Sequence, residues 1–163
     1  MKERVSSVCT TVERRSEREL VATRTFDAPA RLVFDAWTRP ELFKLWWMPK
    51  SMPVPLLSCE MDVRTGGGYR LAFGHDAANA MAFFGKYLDV SAPSRLVWTN
   101  EESDDAAVTT VTFEENDGGT RLVRQDLYPS KEAHDEPFAG MVGATPEQFG
   151  QLDELLVSLG AKA

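Results

Sequence analysis

The spacing of apolar residues changes period three times along this chain. Residues 20–26 (LVATRTF) are rich in β-branched and apolar side chains and predict a strand. Asp27-Ala28-Pro29 stops it, and proline is favoured at the first position of a helix. Leu32, Val33, Ala36 and Trp37 then recur at helical spacing. A second short helix is predicted from Pro40, with Leu42, Phe43, Trp46 and Trp47 recurring on one side. Pro49, Pro53 and Pro55 end it and force an extended linker.

The pattern then returns to strands, predicted over residues 56–63, 69–74, 81–90, 95–100, 108–115 and 120–128. Short turn signals separate them, among them Thr65-Gly66-Gly67-Gly68, Ala92-Pro93-Ser94 and Asn116-Asp117-Gly118-Gly119. Connections this short favour antiparallel hairpins over crossovers. At the C-terminus Thr145-Pro146-Glu147-Gln148 has the form of a capping box with proline at the first helical position. Phe149, Leu152, Leu156 and Leu159 follow on one amphipathic face, and Gly160 suits a C-cap. Residues 131–141 predict a further helical segment, interrupted by Pro137, Gly140 and Gly143. The order β, α, α, six β, α is the α+β solution: helices gathered at one end of an antiparallel sheet of seven strands.

At 163 residues the chain suits one domain, here 20–160, with 1–19 as a flexible lead-in that turns partly to strand near residues 8–12. The net charge is -7, and the acid clusters in loop-like runs such as Glu101, Glu102, Asp104 and Asp105. A nucleic-acid binder needs a basic face, and an acidic chain is not expected to supply one. No apolar run approaches a membrane span, and the N-terminus lacks the apolar stretch of a secretory signal, so a cytoplasmic protein is expected. Cys9 and Cys59 sit in no metal or redox spacing and read as reduced thiols.

The segments FDAPARLVFDAWTRPELFKLWW, CEMDVRTGGGYRL, GKYLDVSAPSRLVWT, VTFEENDGGTRLVRQDLYPS and QLDELLVSLG together resemble the START-like helix-grip (SRPBCC) superfamily. Within it they are similar to the bacterial branch related to the C-terminal domain of the activator of the heat-shock-90 chaperone ATPase. The resemblance covers about Leu20 to Leu159. It implies a curved seven-stranded antiparallel sheet wrapped around a C-terminal helix, two short helices after the first strand, and an apolar cavity between sheet and helix. The chain departs from the family pattern at Arg39, where an acidic cap is usual, at Met48, where glycine is usual, and in lacking a tryptophan in the last helix. Pro137 and Pro146 are expected to shorten or break that helix.

Trp46 and Trp47 are either core or the mouth of the cavity; adjacent helical positions point apart, so the two are not expected to share a role. Alternation puts Tyr69, Leu71 and Phe73 on one strand face, Phe83, Gly85 and Tyr87 on one face, and Leu96 with Trp98. In a helix-grip fold the concave core and a pocket wall are one surface. The candidate cavity residues are therefore Trp46, Tyr69, Phe73, Phe83, Tyr87, Trp98, Arg124 and Phe149. Arg70, Arg124 and Asp126 read first as outer-face charges; turned inward, Arg124 or Arg70 could fix a ligand carboxylate. Glu60, Asp62 and Arg64 read as a charged solvent face. His75 and His134 have no ligand-like partners in sequence, so no metal or other cofactor is expected, and no catalytic residue is assigned.

Three functions remain. The first is non-enzymatic binding of a small apolar or aromatic molecule in the cavity. The second is a chaperone-associated or stress-response interaction module. The third is a cyclase or hydrolase using the same cavity, which needs a buried titratable residue, with His75, Glu60 and Asp126 as holders. A homodimer through a sheet edge or the tryptophan end is a further partner reading.

Overall fold

The computed structural model describes residues 3–7, 10–48, 56–76, 78, 80–101, 107–116 and 118–159, with backbone alone for 3–7 and 132–144. Two strands open the chain, β1 (Glu3–Ser7) and β2 (Thr10–Arg14), and β3 (Glu19–Phe26) follows. Two short helices come next, α1 (Ala30–Thr38) and α2 (Pro40–Trp46). Six strands follow: β4 (Leu56–Met61), β5 (Gly68–Phe73), β6 (Met81–Ser91), β7 (Arg95–Thr99), β8 (Val108–Asn116) and β9 (Gly119–Leu127). The chain closes on α3 (Lys131–Ser158).

All nine strands join one antiparallel sheet in the order β1-β2-β3-β9-β8-β7-β6-β5-β4. The expected count of seven is too low, because the stretch expected to lead in supplies β1 and β2. β2 pairs residue by residue with β3, and Val12 is fully buried. A strand that buries a valine against the shared core is part of the fold it joins.

The register lines up two rows across the inner face of the sheet. One runs Leu20, Asp126, Thr109, Trp98, Tyr87. The next runs Ala22, Arg124, Val111, Leu96, Val90. All but Val90 are buried. Phe149, Leu152 and Leu156 of α3 are buried in the same core as this inner face. Leu159, expected on that helix face, is 42% exposed and falls outside it.

The C-terminal helix runs unbroken through Pro137 and Pro146, contrary to the expected interruption. Proline inside a helix costs about 3 kcal/mol. Burial of Phe149, Leu152 and Leu156 sets several side chains, each worth about 1.5–3 kcal/mol, against that cost. The capping-box sequence at Thr145 therefore lies within the helix, with Thr145 itself buried.

The short helices take their end groups from remote parts of the chain. Pro29 caps α1 without a side-chain hydrogen bond, and the Ala30 N–H instead donates to Glu115 Oε1 at 2.7 Å. Thr120 Oγ1 donates to the Ala28 carbonyl at 2.7 Å and fixes the turn into α1. Arg39 gives α2 no side-chain cap, as expected from the missing acid. At the other end of α2 the last carbonyls have no partner in their own helix. Gln151 Nε2 donates to the carbonyls of Trp46 and Met48, both at 2.9 Å, and Gln148 donates to that of Trp47. Two glutamines of α3 thus hold the tryptophan end in place.

Gly85 shows how closely the sheet packs. A Cβ built there would lie 2.0 Å from the Thr99 carbonyl oxygen. Gly67 is under the same constraint, 2.1 Å from the Asp62 oxygen, so the glycine run is a tight turn into β5.

Candidate functional site

Trp37 is the hub of the aromatic core. Its ring centroid lies 4.8 Å from Trp46, 5.9 Å from Trp98, 6.1 Å from Trp47 and 6.4 Å from Phe149. Trp46 is fully buried, edge-on to Trp37, with its indole N–H donated to the Ala36 carbonyl at 3.0 Å. Phe149 is equally buried, between Phe26 and Trp37. Trp47, the adjacent residue, is half-buried and stacks on Phe43 at 4.7 Å. The pair therefore divides as helical geometry requires.

Tyr69, Tyr87 and Trp98 form a second cluster, with ring separations of 5.8, 6.4 and 6.5 Å. It joins the first through Trp98 and Trp37. Phe73 and Phe83 stand apart from both as a stacked pair, 5.0 Å between centroids, with Phe83 37% exposed.

Arg124 and Asp126 face inward, 7% and 1% exposed, and the outer-face reading of them does not hold. Their positions on β9 put them beside Thr109 and Val111 on the inner face. Thr109 Oγ1 donates to Asp126 Oδ1 at 2.6 Å, and Arg124 Nε lies 3.4 Å from Asp126 Oδ2. The guanidinium carbon of Arg124 sits 5.5 Å from the centre of the Trp47 ring, a cation–π contact.

A polar chain extends from this pair along the sheet. Tyr69 Oη lies 3.0 Å from Asn100 Oδ1, Asn100 Nδ2 donates to Thr109 Oγ1 at 3.0 Å, and Thr109 passes on to Asp126. The inner face thus carries a hydrogen-bonded path between Tyr69 and Asp126, which Arg124 joins as an ion pair. Asn100, Thr109 and Trp37 were not singled out in the sequence. The usable signal was parity: Thr109 shares its strand face with Val111 and Phe113.

Three atoms in this region are buried and find no hydrogen-bond partner among the described residues: Trp37 Nε1, Arg124 Nε and Asp126 Oδ2. Arg24 Nε is a fourth, on β3, in a side chain that already reaches Thr10 and Asp153. Arg124 Nε and Asp126 Oδ2 face each other as an ion pair, whereas an indole N–H left as Trp37 Nε1 is costs about 1–3 kcal/mol.

Burial raises the pKa of Tyr87 beyond the ordinary phenol range, and the neighbouring Cys59 pushes it the same way. Burial also raises the Cys59 thiol, with Lys44 opposing. Both groups stay protonated at neutral pH, so neither is a ready base or nucleophile. His75 is exposed in a turn, and Glu60 is exposed on β4. Asp62 and Arg64 form an exposed ion pair at 2.9 Å. Among the described residues no group of histidine, cysteine and acidic side chains could hold a metal ion. The side chain of His134 lies outside the described residues.

On the sheet's other side a cleft of about 510 Å³ is lined by Gly66–Gly68, Arg70, Phe84, Lys86 and Glu101, with Tyr69 at its edge. Of the eight candidate residues only Tyr69 borders it.

Residues 27–157 match the family described as Activator of Hsp90 ATPase homolog 1-like protein. The chain belongs to this family. It is a member of the START-like helix-grip superfamily, as its sequence segments implied. Solved structures repeat the fold. One is a protein from Rhodobacter sphaeroides, 22% identical, covering 98% of this chain and 99% of its own, with a TM-score of 0.80. Another, from Nitrosomonas europaea, is 25% identical over 90% of this chain and 98% of its own, with a TM-score of 0.78. A third, an AHSA1-like protein from Aeromonas hydrophila, is 18% identical, covers 87% and 95% and has a TM-score of 0.65. No curated protein matches. Among the described residues no helix is long and apolar enough to cross a membrane.

Proposed function

We propose that this family member binds a small apolar or aromatic molecule between the inner face of the sheet and α3. The observation that carries the reading is the composition of that face. Two joined clusters of aromatic rings share that face with a buried Arg124–Asp126 ion pair, and Trp47 lies over its arginine. Small-molecule sites combine an apolar lining with a few placed polar groups in this way. Trp47, half-buried over Arg124, marks the side from which a ligand arrives. Of the candidate residues, Tyr69, Tyr87, Trp98 and Arg124 are assigned to ligand contact, and Trp46 and Phe149 to the packing beneath.

Native mass spectrometry of freshly purified protein, set against the same sample after denaturing extraction, tests this. A reproducible extra mass lost on extraction is expected. A clean apo mass, with flat thermal shifts across aromatic compounds and lipids, would remove the ligand-binding reading.

A second reading is contact with a chaperone. It draws on the family's description and on Met81, Phe83, Phe84 and Leu88, all exposed on β6. Addition of the protein to a purified heat-shock-90 chaperone should then raise its ATPase rate. An unchanged rate with no complex on gel filtration would end that reading.

A further inference from the structure

We infer that the outer-face cleft beside β5 and β6 is a second binding site, for a small aromatic carboxylate. It lies on the opposite side of the sheet from the inner-face site and does not depend on that reading. The cleft holds about 510 Å³, within the usual range for small-molecule sites. Register explains its shape. Arg70 pairs with Phe84 and Gly68 with Lys86, so these four positions share the outer face. Gly68 fills its corner with bare backbone, as do Gly66 and Gly67 beside it. The result is a main-chain floor bordered by two long cations and one ring. Phe84 is 41% exposed, an apolar surface already in water that a second ring can cover.

Charge supplies the polar end. Arg70 and Lys86 are exposed, and among the described residues neither side chain forms an ion pair or hydrogen bond. The nearby acids are engaged elsewhere. Asp62 pairs with Arg64 at 2.9 Å, and Glu101 Oε2 accepts from Thr99 Oγ1 at 2.6 Å. Glu60 stands opposite Arg70 on β4 and makes no ion pair with it. Arg70 and Lys86 are diagonal neighbours in the ladder, a separation of about 7–8 Å that long side chains span, so both reach one group between them. A carboxylate there takes two parallel bonds from the guanidinium fork and the point charge of the lysine. Two cations against the one carboxylate of Glu101 favour a single negative charge over a phosphate dianion. Acids farther off than about 8 Å are screened at physiological ionic strength, so the net charge of -7 does not bar an anion here.

The test is titration of the intact isotope-labelled protein at pH 7 and physiological ionic strength with benzoate, benzamide, phenyl phosphate and acetate, followed by proton–nitrogen correlation spectra. Benzoate is expected to bind tightest and to move the amide peaks of Gly66, Gly68 and Lys86. Arg70→Ala and Lys86→Ala should each weaken it by about two- to fivefold, the scale of an exposed charge contact. Arg31→Ala, which removes an exposed cation on α1, should leave it unchanged. All three side chains are exposed, so these variants are expected to fold. Benzamide binding as tightly as benzoate would overturn the anion site, and acetate binding as tightly would remove the aromatic body. Phenyl phosphate binding tightest would overturn the carboxylate class. Equal weakening by Arg31→Ala would reduce the effect to overall charge and overturn the site. Shifts confined to the indole peaks of the inner-face tryptophans would overturn this inference and leave the inner-face reading standing. No shift with any probe would overturn it as well.

Discussion

Thr109 and Asp126, on neighbouring strands and both buried, share a 2.6 Å hydrogen bond. The bond satisfies one carboxylate oxygen and turns the other toward Arg124, 3.4 Å away. The result is a buried charge pair set into an aromatic core, which few sequences place on a sheet's inner face.

Removing one partner should cost more than removing both. Asp126→Ala leaves the Arg124 charge buried and unpaired, and a loss of about 3–5 kcal/mol is expected in urea unfolding. The Arg124→Met/Asp126→Leu double variant should recover most of it. Equal losses in the single and double variants would mean that the pair is not coupled.

Gln151 holds two carbonyls at the end of α2. Gln151→Ala should cost about 1–3 kcal/mol, because the Trp46 and Met48 oxygens lose their donor. Val157→Ala, at an exposed position of the same helix, is the control and should change little. Matching midpoints for the two variants would discount the clamp.

Glu115 stands in for the N-cap that α1 lacks. Glu115→Ala is expected to cost about 0.5–2 kcal/mol, the usual value of a cap. The Ala30 amide should also exchange faster with solvent. Unchanged exchange at Ala30 would argue against the contact.

Gly85→Ala should prevent folding or leave an expanded state, since its Cβ would lie 2.0 Å from the Thr99 oxygen. The atom it meets is backbone, which cannot swing aside. Circular dichroism and gel filtration would show the loss, and a native-like variant would show that β6 and β7 can part there.

The folded protein should lose stability in alkali through Tyr87. Burial raises its pKa in the fold, so the folded state keeps a proton that the unfolded chain releases above about pH 10. The contribution is complete below the unfolded pKa. It falls by about 1.4 kcal/mol per pH unit as pH rises toward the folded value. Ultraviolet titration should find Tyr87 ionising late, in step with unfolding. Tyr87→Phe should flatten that slope; an identical slope would place the titration elsewhere.

The succession of elements was legible in the chain because periodicity is local. β-branched runs, Asp27-Ala28-Pro29 and the glycine turns mark β3, α1 and the hairpins from a few residues each. Trp46 and Trp47 also announced a crowded end, since two adjacent indoles cannot face one way on a helix. β2 was harder to read. Its short TTVER pattern has one strongly apolar residue, Val12, and becomes a strand by pairing with β3.

The sequence by itself determined the α+β class, the order of helices and hairpins, and the aromatic residues that a core or a ligand must cover. Only the tertiary structure decided which face of β9 is inside. Alternation divides that strand into Thr120, Leu122, Arg124 and Asp126 against Arg121, Val123, Gln125 and Leu127, and both sets mix polar with apolar. A period of two separates the faces without choosing between them. The choice came from register against Thr109 and Val111, and from partners about a hundred residues distant, as with Gln151 and Trp46. Such contacts exist when the chain has closed on itself, and no window of neighbouring residues contains them.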